Sequence, residues 1–467
     1  LIEQENSLMP KIAFLGAGST MFARRLIGDC MFAPSLRDSH FALYDIDPGR
    51  LRQSKAIIDM TNGKINRGRA TVTTHLGVRN RRAALRDADY VINAVQVGGL
   101  DATRIDFEIP LKYGLRQTVG DTLGIGGIFR ALRTIPVMLD FAHDMEAVCP
   151  EAWMLNYTNP MSMVTGAMLR GTGIPCVGLC HSVQGCVRGL MLRLGLLKDV
   201  HEEIPITRIG TADKGHCLKW MIAGINHQAW LLQVTDNGRD FYPELKRRAF
   251  KMNRDALRKG AQKHDNMVRY EMMRHFGHYV TESSHHCAEY VPYWIKSRFP
   301  ELAEQFNIPI NMYLRRMEGS GKAWQEQYRQ ALAGRDLPKQ RSHEYGSYIM
   351  EAMETDAAIR IHGNVMNSGL IDNLPAKAVV EVPCLVDRNG VTGCHVGELP
   401  EQCAALNRAS INVHLLTLEA ALLLKREAIY HAAYVDPHTS AELPLDQIRS
   451  LCDELIEAHG KMLPKYK

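Results

Sequence analysis

The chain has 467 residues, 46% hydrophobic and 23% charged, the balance of an ordinary soluble protein with more apolar material than a single core usually holds. Its formal charge of +5, from 56 Lys+Arg against 51 Asp+Glu, is too small over this length to point to nucleic acid, and runs such as Arg79-Asn80-Arg81-Arg82 and Lys246-Arg247-Arg248 read as solvated faces. Eleven cysteines without paired spacing argue against a disulfide framework or a structural zinc module, and no stretch approaches the ~20 apolar residues of a membrane span. A small-molecule partner and a reducing, cytoplasmic setting are the expectations that remain.

Leu1 to Met9 is polar and acidic and reads as a tail outside the fold. Lys11-Ile12-Ala13-Phe14-Leu15 then predicts a strand, Gly16-Ala17-Gly18-Ser19-Thr20 a tight turn, and Met21 to Cys30 a helix. Phe41 to Asp45, Ala70 to Thr74, Tyr90 to Val95, Trp153 to Tyr157 and Cys176 to Cys180 are further strands separated by helical stretches. Right-handed crossovers turn this alternation into a Rossmann-like, doubly wound parallel sheet over residues 10–197.

Beyond that point the rhythm changes. Leu218 to Ile225 and Ala229 to Thr235 lie too close for a crossover helix, so they predict antiparallel neighbours in a mixed α+β lobe over residues 198–467. Helices are expected around Pro243 to Lys259, Asn266 to Phe276, Ala323 to Ala333 and His343 to Glu354. Asn389-Gly390 signals a hairpin between Ala378 to Val386 and Val391 to Val396. One long helix is expected from Gln402 to Ala432, then another that closes the chain; their apolar surface suits a homodimer or homotetramer.

Several positions carry chemistry at strand ends, where open α/β sheets gather ligands. Gly16 and Gly18 allow close approach to a pyrophosphate, although the third fingerprint position holds Met21. Asp45 can accept both ribose hydroxyls, favouring NAD over NADP, or can serve only as a turn-former in Asp45-Ile46-Asp47-Pro48. Gln96-Val97-Gly98-Gly99 is a rim loop beside the cofactor or a generic glycine turn.

Leu123-Gly124-Ile125-Gly126-Gly127, next to Asp121 and ahead of Arg130 and Arg133, can bind an anion or present an acid; otherwise it is a surface loop. Asn156-Tyr157-Thr158-Asn159-Pro160 offers amides for sugar hydroxyls or for a helix cap. Cys180 at a strand end can ligate a metal or fill a core, and His227 can face it across the cleft or be structural.

Tyr270 has Arg269 beside it and is either a proton-transfer group or a core residue. The cluster Thr281-Glu282-Ser283-Ser284-His285-His286 reads as a sugar-binding loop or helix cap before a ligand set, because adjacent side chains do not converge on one ion without a special turn. Asp372 and Asn373 read as a turn first and a substrate contact second.

Taken in order, Gly16-Ala17-Gly18-Ser19, Gln96-Val97-Gly98-Gly99, Gly120 to Gly127, Asn156 to Pro160, Cys180-His181-Ser182-Val183 and Gly224-Ile225-Asn226-His227 closely resemble the family 4 glycoside hydrolases, nearest to their α-galactosidase branch. The resemblance implies a lactate/malate dehydrogenase-like fold and an intracellular enzyme that uses NAD and a divalent metal, usually manganese, on small α-galactosides such as melibiose. It implies oxidation at sugar C3, deprotonation at C2, elimination at C1, addition of water and return of the hydride.

On the same basis, Cys180 and His227 match the metal ligands, Asp121 the acid that protonates the leaving group, and Tyr270 the C2 base, with Asp265 a neighbouring alternative. Gly16, Gly18, Ser19, Asp45, Gln96, Gly98 and Asn156 match the cofactor site. Asn159, His181 and Arg104 match sugar contacts, and His181 after the cysteine argues against a 6-phosphorylated substrate. An α-glucosidase or α-galacturonidase on the same scaffold, a hydroxy-acid dehydrogenase and a noncatalytic NAD sensor are the competing readings.

Overall fold

The computed structural model describes residues 9–196, 207–208, 218–335 and 337–467. In its first half β1 (Lys11–Leu15), α1 (Met21–Phe32), β2 (His40–Asp45), α2 (Pro48–Asn66), β3 (Thr71–Leu76), α3 (Arg81–Leu85), β4 (Tyr90–Asn93), α4 (Gly99–Lys112), α5 (Gly124–Val148), β5 (Trp153–Asn156), α6 (Met161–Gly171) and β6 (Cys176–Gly178) follow one another. The strands lie parallel in the order β6-β5-β4-β1-β2-β3, the arrangement of a doubly wound nucleotide-binding sheet. Phe14, Leu15, Ile92, Leu155 and Val177 are wholly buried, as strands covered by helices on both faces require.

The second half contains α7 (His181–Gln184), α8 (Cys186–Arg193), β7 (Thr207–Arg208), β8 (Leu218–Ile225), β9 (Gln228–Asp236), β10 (Arg239–Asp240), α9 (Tyr242–Ala256), α10 (Met267–Phe276), β11 (Tyr279–Val280), α11 (Ser284–Tyr290), α12 (Glu301–Gln305), α13 (Met312–Leu332) and α14 (Tyr345–Thr355). It ends with β12 (Ile359–Met366), β13 (Val379–Asp387), β14 (Gly390–Gly393), α15 (Glu401–Leu423), α16 (Arg426–Val435), α17 (Pro437–Glu442) and α18 (Leu445–His459). β12 pairs antiparallel with β6 through Asn364 and Gly178, so β12, β13, β8, β9 and β10 extend the parallel sheet rather than forming one of their own. This continuity carries the hairpin β8–β9 in the same sheet as β6, with β12 and β13 between them.

Two elements differ from expectation. The strand ending in Cys180 stops at Gly178, and Cys180 becomes the residue before α7. The long helix expected from Gln402 to Ala432 breaks at Leu424, which has φ +53°. There the chain's last residue bonds both sides of the break: Lys467 N donates to Leu424 O at 2.8 Å, and Arg426 N donates to Lys467 O at 2.9 Å. Among the described residues no helix is long and apolar enough to cross a membrane.

Candidate active site

A cleft of about 440 Å³ opens at the carboxyl ends of the central strands. Its cofactor side is built by the turn after β1. Gly16 has φ +82°, and a side chain there would lie 2.8 Å from the Ala94 carbonyl carbon; one on Gly18 would lie 2.6 Å from Asp45 Oδ2. Gly18 N donates to that oxygen at 2.6 Å, while Asp47, not Asp45, caps α2 by accepting from Gly49 and Arg50. Asp45 Oδ1 also accepts from Asp47 N at 2.9 Å, so Asp45 shapes the turn after β2 as well as meeting the glycine turn, and Ser19 and Gln96 join the cleft wall.

Across the cleft, Cys180, His227 and Glu282 bring a thiol, an imidazole and a carboxylate together, their ligand atoms all within 4.8 Å of one another. Each comes from a different element. His227 sits at φ +63° on the two-residue turn between β8 and β9, a left-handed conformation that an ordinary side chain adopts only where its surroundings impose it. Glu282 arrives because β11 pairs with β9, Val280 opposite Trp230, and Thr281 N donates to Ala229 O at 3.0 Å. The carboxylate then falls beside the turn, 3.9 Å from His227 Nε2.

Burial pushes the Cys180 thiol up to about 11, and the negative charge of Glu282 adds to this. Burial also opposes ionisation of Glu282, yet His227 and His286 hold its pKa below the usual carboxylate value. His227 Nδ1 is buried without a hydrogen-bond partner. A soft thiolate donor, an imidazole and a carboxylate at this spacing fit a divalent transition metal, whose charge would offset both anions.

The wall next to this cluster is organised from behind by Asp121. Its carboxylate accepts from Asn159 Nδ2 at 3.3 Å and lies 3.9 Å from both Arg130 Nη1 and His286 Nδ1. Burial would raise the Asp121 pKa, but Arg130, His286 and His227 bring it below its ordinary value. Arg130 also donates to the Tyr313 hydroxyl at 3.2 Å, and Gln96 Nε2 reaches the same oxygen at 3.3 Å. His181 sits on the rim with Nε2 2.8 Å from both oxygens of the buried Glu344, a contact that raises the imidazole's pKa.

Residues 11–196 match the family model described as family 4 glycosyl hydrolase, and residues 222–439 match that of the family 4 glycosyl hydrolase C-terminal domain. The chain belongs to glycosyl hydrolase family 4. An α-galactosidase of Bacillus subtilis is 52% identical over 98% of this chain and all of its own length. An α-galactosidase of Rhizobium meliloti is 37% identical over 98% of this chain and 89% of its own. The solved 6-phospho-α-glucosidase from gut microorganisms in complex with NAD and Mn2+ superposes with a TM-score of 0.77 at 21% identity, covering 98% of this chain and 100% of that one.

Within this family 4 fold, Cys180, His181, His227, Asn159, Gln96 and Ser19 all reach the cleft wall. Gly98 does not reach the wall; it precedes α4 with φ +88°, where a side chain would meet Ala102 Cβ at 2.4 Å. Other assigned residues lie outside the wall. Asn156 is fully buried, its oxygen accepting from Asn93 Nδ2 at 2.7 Å and its amide donating to Thr165 Oγ1 at 3.1 Å, so it braces strand ends rather than facing a cofactor. Arg104 is not part of the wall and pairs with Glu318 on α13 at 3.1 Å.

Tyr270 lies in a second apolar cluster with Tyr279 and Leu245, away from the cleft wall. Burial pushes its hydroxyl up to about 12, outweighing Arg269, whose guanidinium stacks on Tyr279 instead. Asp121 lies behind the wall, where its contacts to Asn159, Arg130 and His286 suit it to orienting those neighbours. Asp265 takes an exposed hydrogen bond from Asn307 at 3.2 Å, and Asp372 pairs with His395, so neither contributes to the cleft. Ser283 caps α11, accepting from His286 N at 3.4 Å, which realises the cap reading of that polar cluster while Glu282 and His286 turn into the cleft.

Proposed function

We propose that this family 4 hydrolase is an NAD- and manganese-dependent α-galactosidase acting on small α-galactosides such as melibiose. The observation that carries the reading is the meeting of Cys180, His227 and Glu282 across one cleft from the glycine turn. The α-galactosidase names of the two relatives support the choice of sugar. When bound, NAD would supply reversible hydride transfer, and the metal would polarise the oxygens of the sugar.

The chain's own residues define the rest. The turn at Gly16 and Gly18 and the start of α1 would receive the pyrophosphate, with Asp45 accepting the ribose hydroxyls. Cys180, His227 and Glu282 would hold the metal. Asn159, Arg130 and His286, kept in place by Asp121, would grip sugar hydroxyls, and His181 on Glu344 would donate to the sugar from the rim. Tyr313 takes the place of Tyr270 as the tyrosine with access to substrate. Its oxygen already accepts from Arg130 and Gln96, so its hydrogen is free to face the cleft.

The test is turnover of a panel of 4-nitrophenyl glycosides with NAD and Mn2+ under reducing conditions, followed by melibiose in deuterated water. α-Galactoside cleavage with deuterium at C2 of the released galactose is expected. Preference for α-glucoside or α-galacturonide reassigns the sugar, absence of C2 label removes the elimination route, and accumulation of free NADH would mark a dehydrogenase. We further propose a cytoplasmic homodimer or homotetramer, because Leu423, Val435 and Leu445 remain exposed on the C-terminal helices; light scattering checks the assembly.

A further inference from the structure

Glu289 is a buried carboxylate on α11 with no place in the cleft wall. One of its oxygens accepts from the backbone N–H groups of Thr118 at 2.6 Å, Val119 at 3.0 Å and Gly120 at 3.0 Å, and its other oxygen accepts again from Gly120 at 3.1 Å. Three consecutive amides converging on one anion form a nest, a rigid arrangement that fixes the peptide planes carrying them. The next residue in the chain is Asp121.

The carbonyls of Gln117 and Thr118 accept from Asn311 N at 2.8 Å and Tyr313 N at 3.1 Å, and the segment has no room to adopt another path. Gly120 has φ +56°, a side chain on Gly126 would lie 2.5 Å from Gly120 O, and one on Gly127 would lie 2.5 Å from the Thr122 carbonyl carbon. Gly126 N is tied to Gln117 Oε1 at 3.1 Å, inside the same segment. Glu289 is the side chain that holds the N–H groups of Thr118 to Gly120 from another element. His286, one helical turn earlier on α11, meets the Asp121 carboxylate directly.

We propose that Glu289 is a positioning residue whose carboxylate sets the place of Asp121, and through it the contacts of Asp121 to Asn159, Arg130 and His286 on which turnover depends. This rests on the reading of the cleft as a glycoside site. Glu289→Gln keeps the shape and one acceptor oxygen but loses the charge and turns an amide NH2 toward the Gly120 N–H, so it weakens the nest without opening a cavity.

The experiment is a double-mutant cycle on the full-length enzyme loaded with NAD and Mn2+, measuring kcat and KM for its best 4-nitrophenyl glycoside in wild type, E289Q, D121N and the double variant. Expected is a fall in kcat of about ten-fold or more in E289Q with KM within about three-fold, and a double variant within about two-fold of D121N, because both changes act on one element. Losses that multiply in the double variant, or wild-type kcat in E289Q, overturn the proposal while leaving the glycosidase reading intact. If wild type turns over no glycoside, or D121N is silent, the reading of the site falls and the role of Glu289 with it. Should E289Q not fold, Glu289→Asp, which keeps the charge but withdraws it by one methylene, is judged by the same cycle.

Discussion

His227 Nε2 and the Glu282 carboxylate face each other at 3.9 Å, too long for a hydrogen bond and suited to two groups that share a third partner. The first prediction follows from that gap. Glu282→Gln keeps the shape of the side chain and removes the anion, so Mn2+ affinity measured by calorimetry should fall about 10- to 100-fold, with Cys180→Ser and His227→Ala at least as severe. Unchanged Mn2+ affinity in E282Q would leave Glu282 as a neighbour and not a ligand.

Tyr313 carries the second. Its hydroxyl receives hydrogen bonds from Arg130 and Gln96, and Arg130 also packs over its ring at 5.6 Å, a contact that phenylalanine preserves. Tyr313→Phe should therefore keep the melting temperature within a few degrees while lowering kcat about 10²-fold or more if the hydroxyl moves a proton. A kcat within about three-fold of wild type would make the residue packing alone.

Which of these features could be read beforehand depends on how far along the chain their causes lie. The turn at Gly16 and Gly18, its strand and Asp45 are local patterns, and the structure reproduces them. Cys180 and His227 were legible from motif context. Glu282 was not assigned as a ligand because its direction comes from the register of β11 on β9, a pairing between residues about 50 apart in sequence that no local periodicity encodes. Tyr313 is placed in the same non-local way, by amides of Asn311 and Tyr313 donating to the carbonyls of Gln117 and Thr118. The direction of Tyr270 is not legible because Met267 to Met273 are all buried, so α10 has no exposed face in this stretch to show where its tyrosine points.

Asp436 supplies a prediction about pH. Burial pushes its carboxyl up to about 6 from an ordinary value of 3.8, although the Thr439 N–H pulls the other way. A raised carboxyl pKa means the folded protein holds a proton that the unfolded chain has released. The stabilisation is complete below the unfolded value near 4 and disappears as pH rises through 6. Asp436→Asn keeps an acceptor for Thr439 N, bonded at 2.8 Å in the wild type, but carries no charge. Urea unfolding at pH 4 and pH 7 should show the variant gaining on wild type by up to about 3 kcal/mol across that interval. A constant difference between the two proteins would show that Asp436 does not titrate in this window.

Arg133 and Asp106 join the stability of the fold to the cofactor rim. Their side chains are 1% and 4% exposed and meet through two hydrogen bonds, at 3.0 and 2.6 Å, while His459 from the end of α18 adds a third to Asp106 at 3.0 Å. Arg133 Nε also donates to Val97 O at 3.1 Å, in the loop between Gln96 and Gly98. Arg133→Met removes the guanidinium and leaves a buried carboxylate with one partner, so unfolding should become easier by about 3–5 kcal/mol. The same change frees the Val97 carbonyl, so NAD affinity should weaken as well. The double variant Arg133→Met with Asp106→Asn separates the two effects: with no stranded charge it should recover much of the stability, yet it cannot restore the Val97 contact. NAD affinity that recovers together with stability in the double variant would mean that the rim loop depends on the fold in general and not on Arg133.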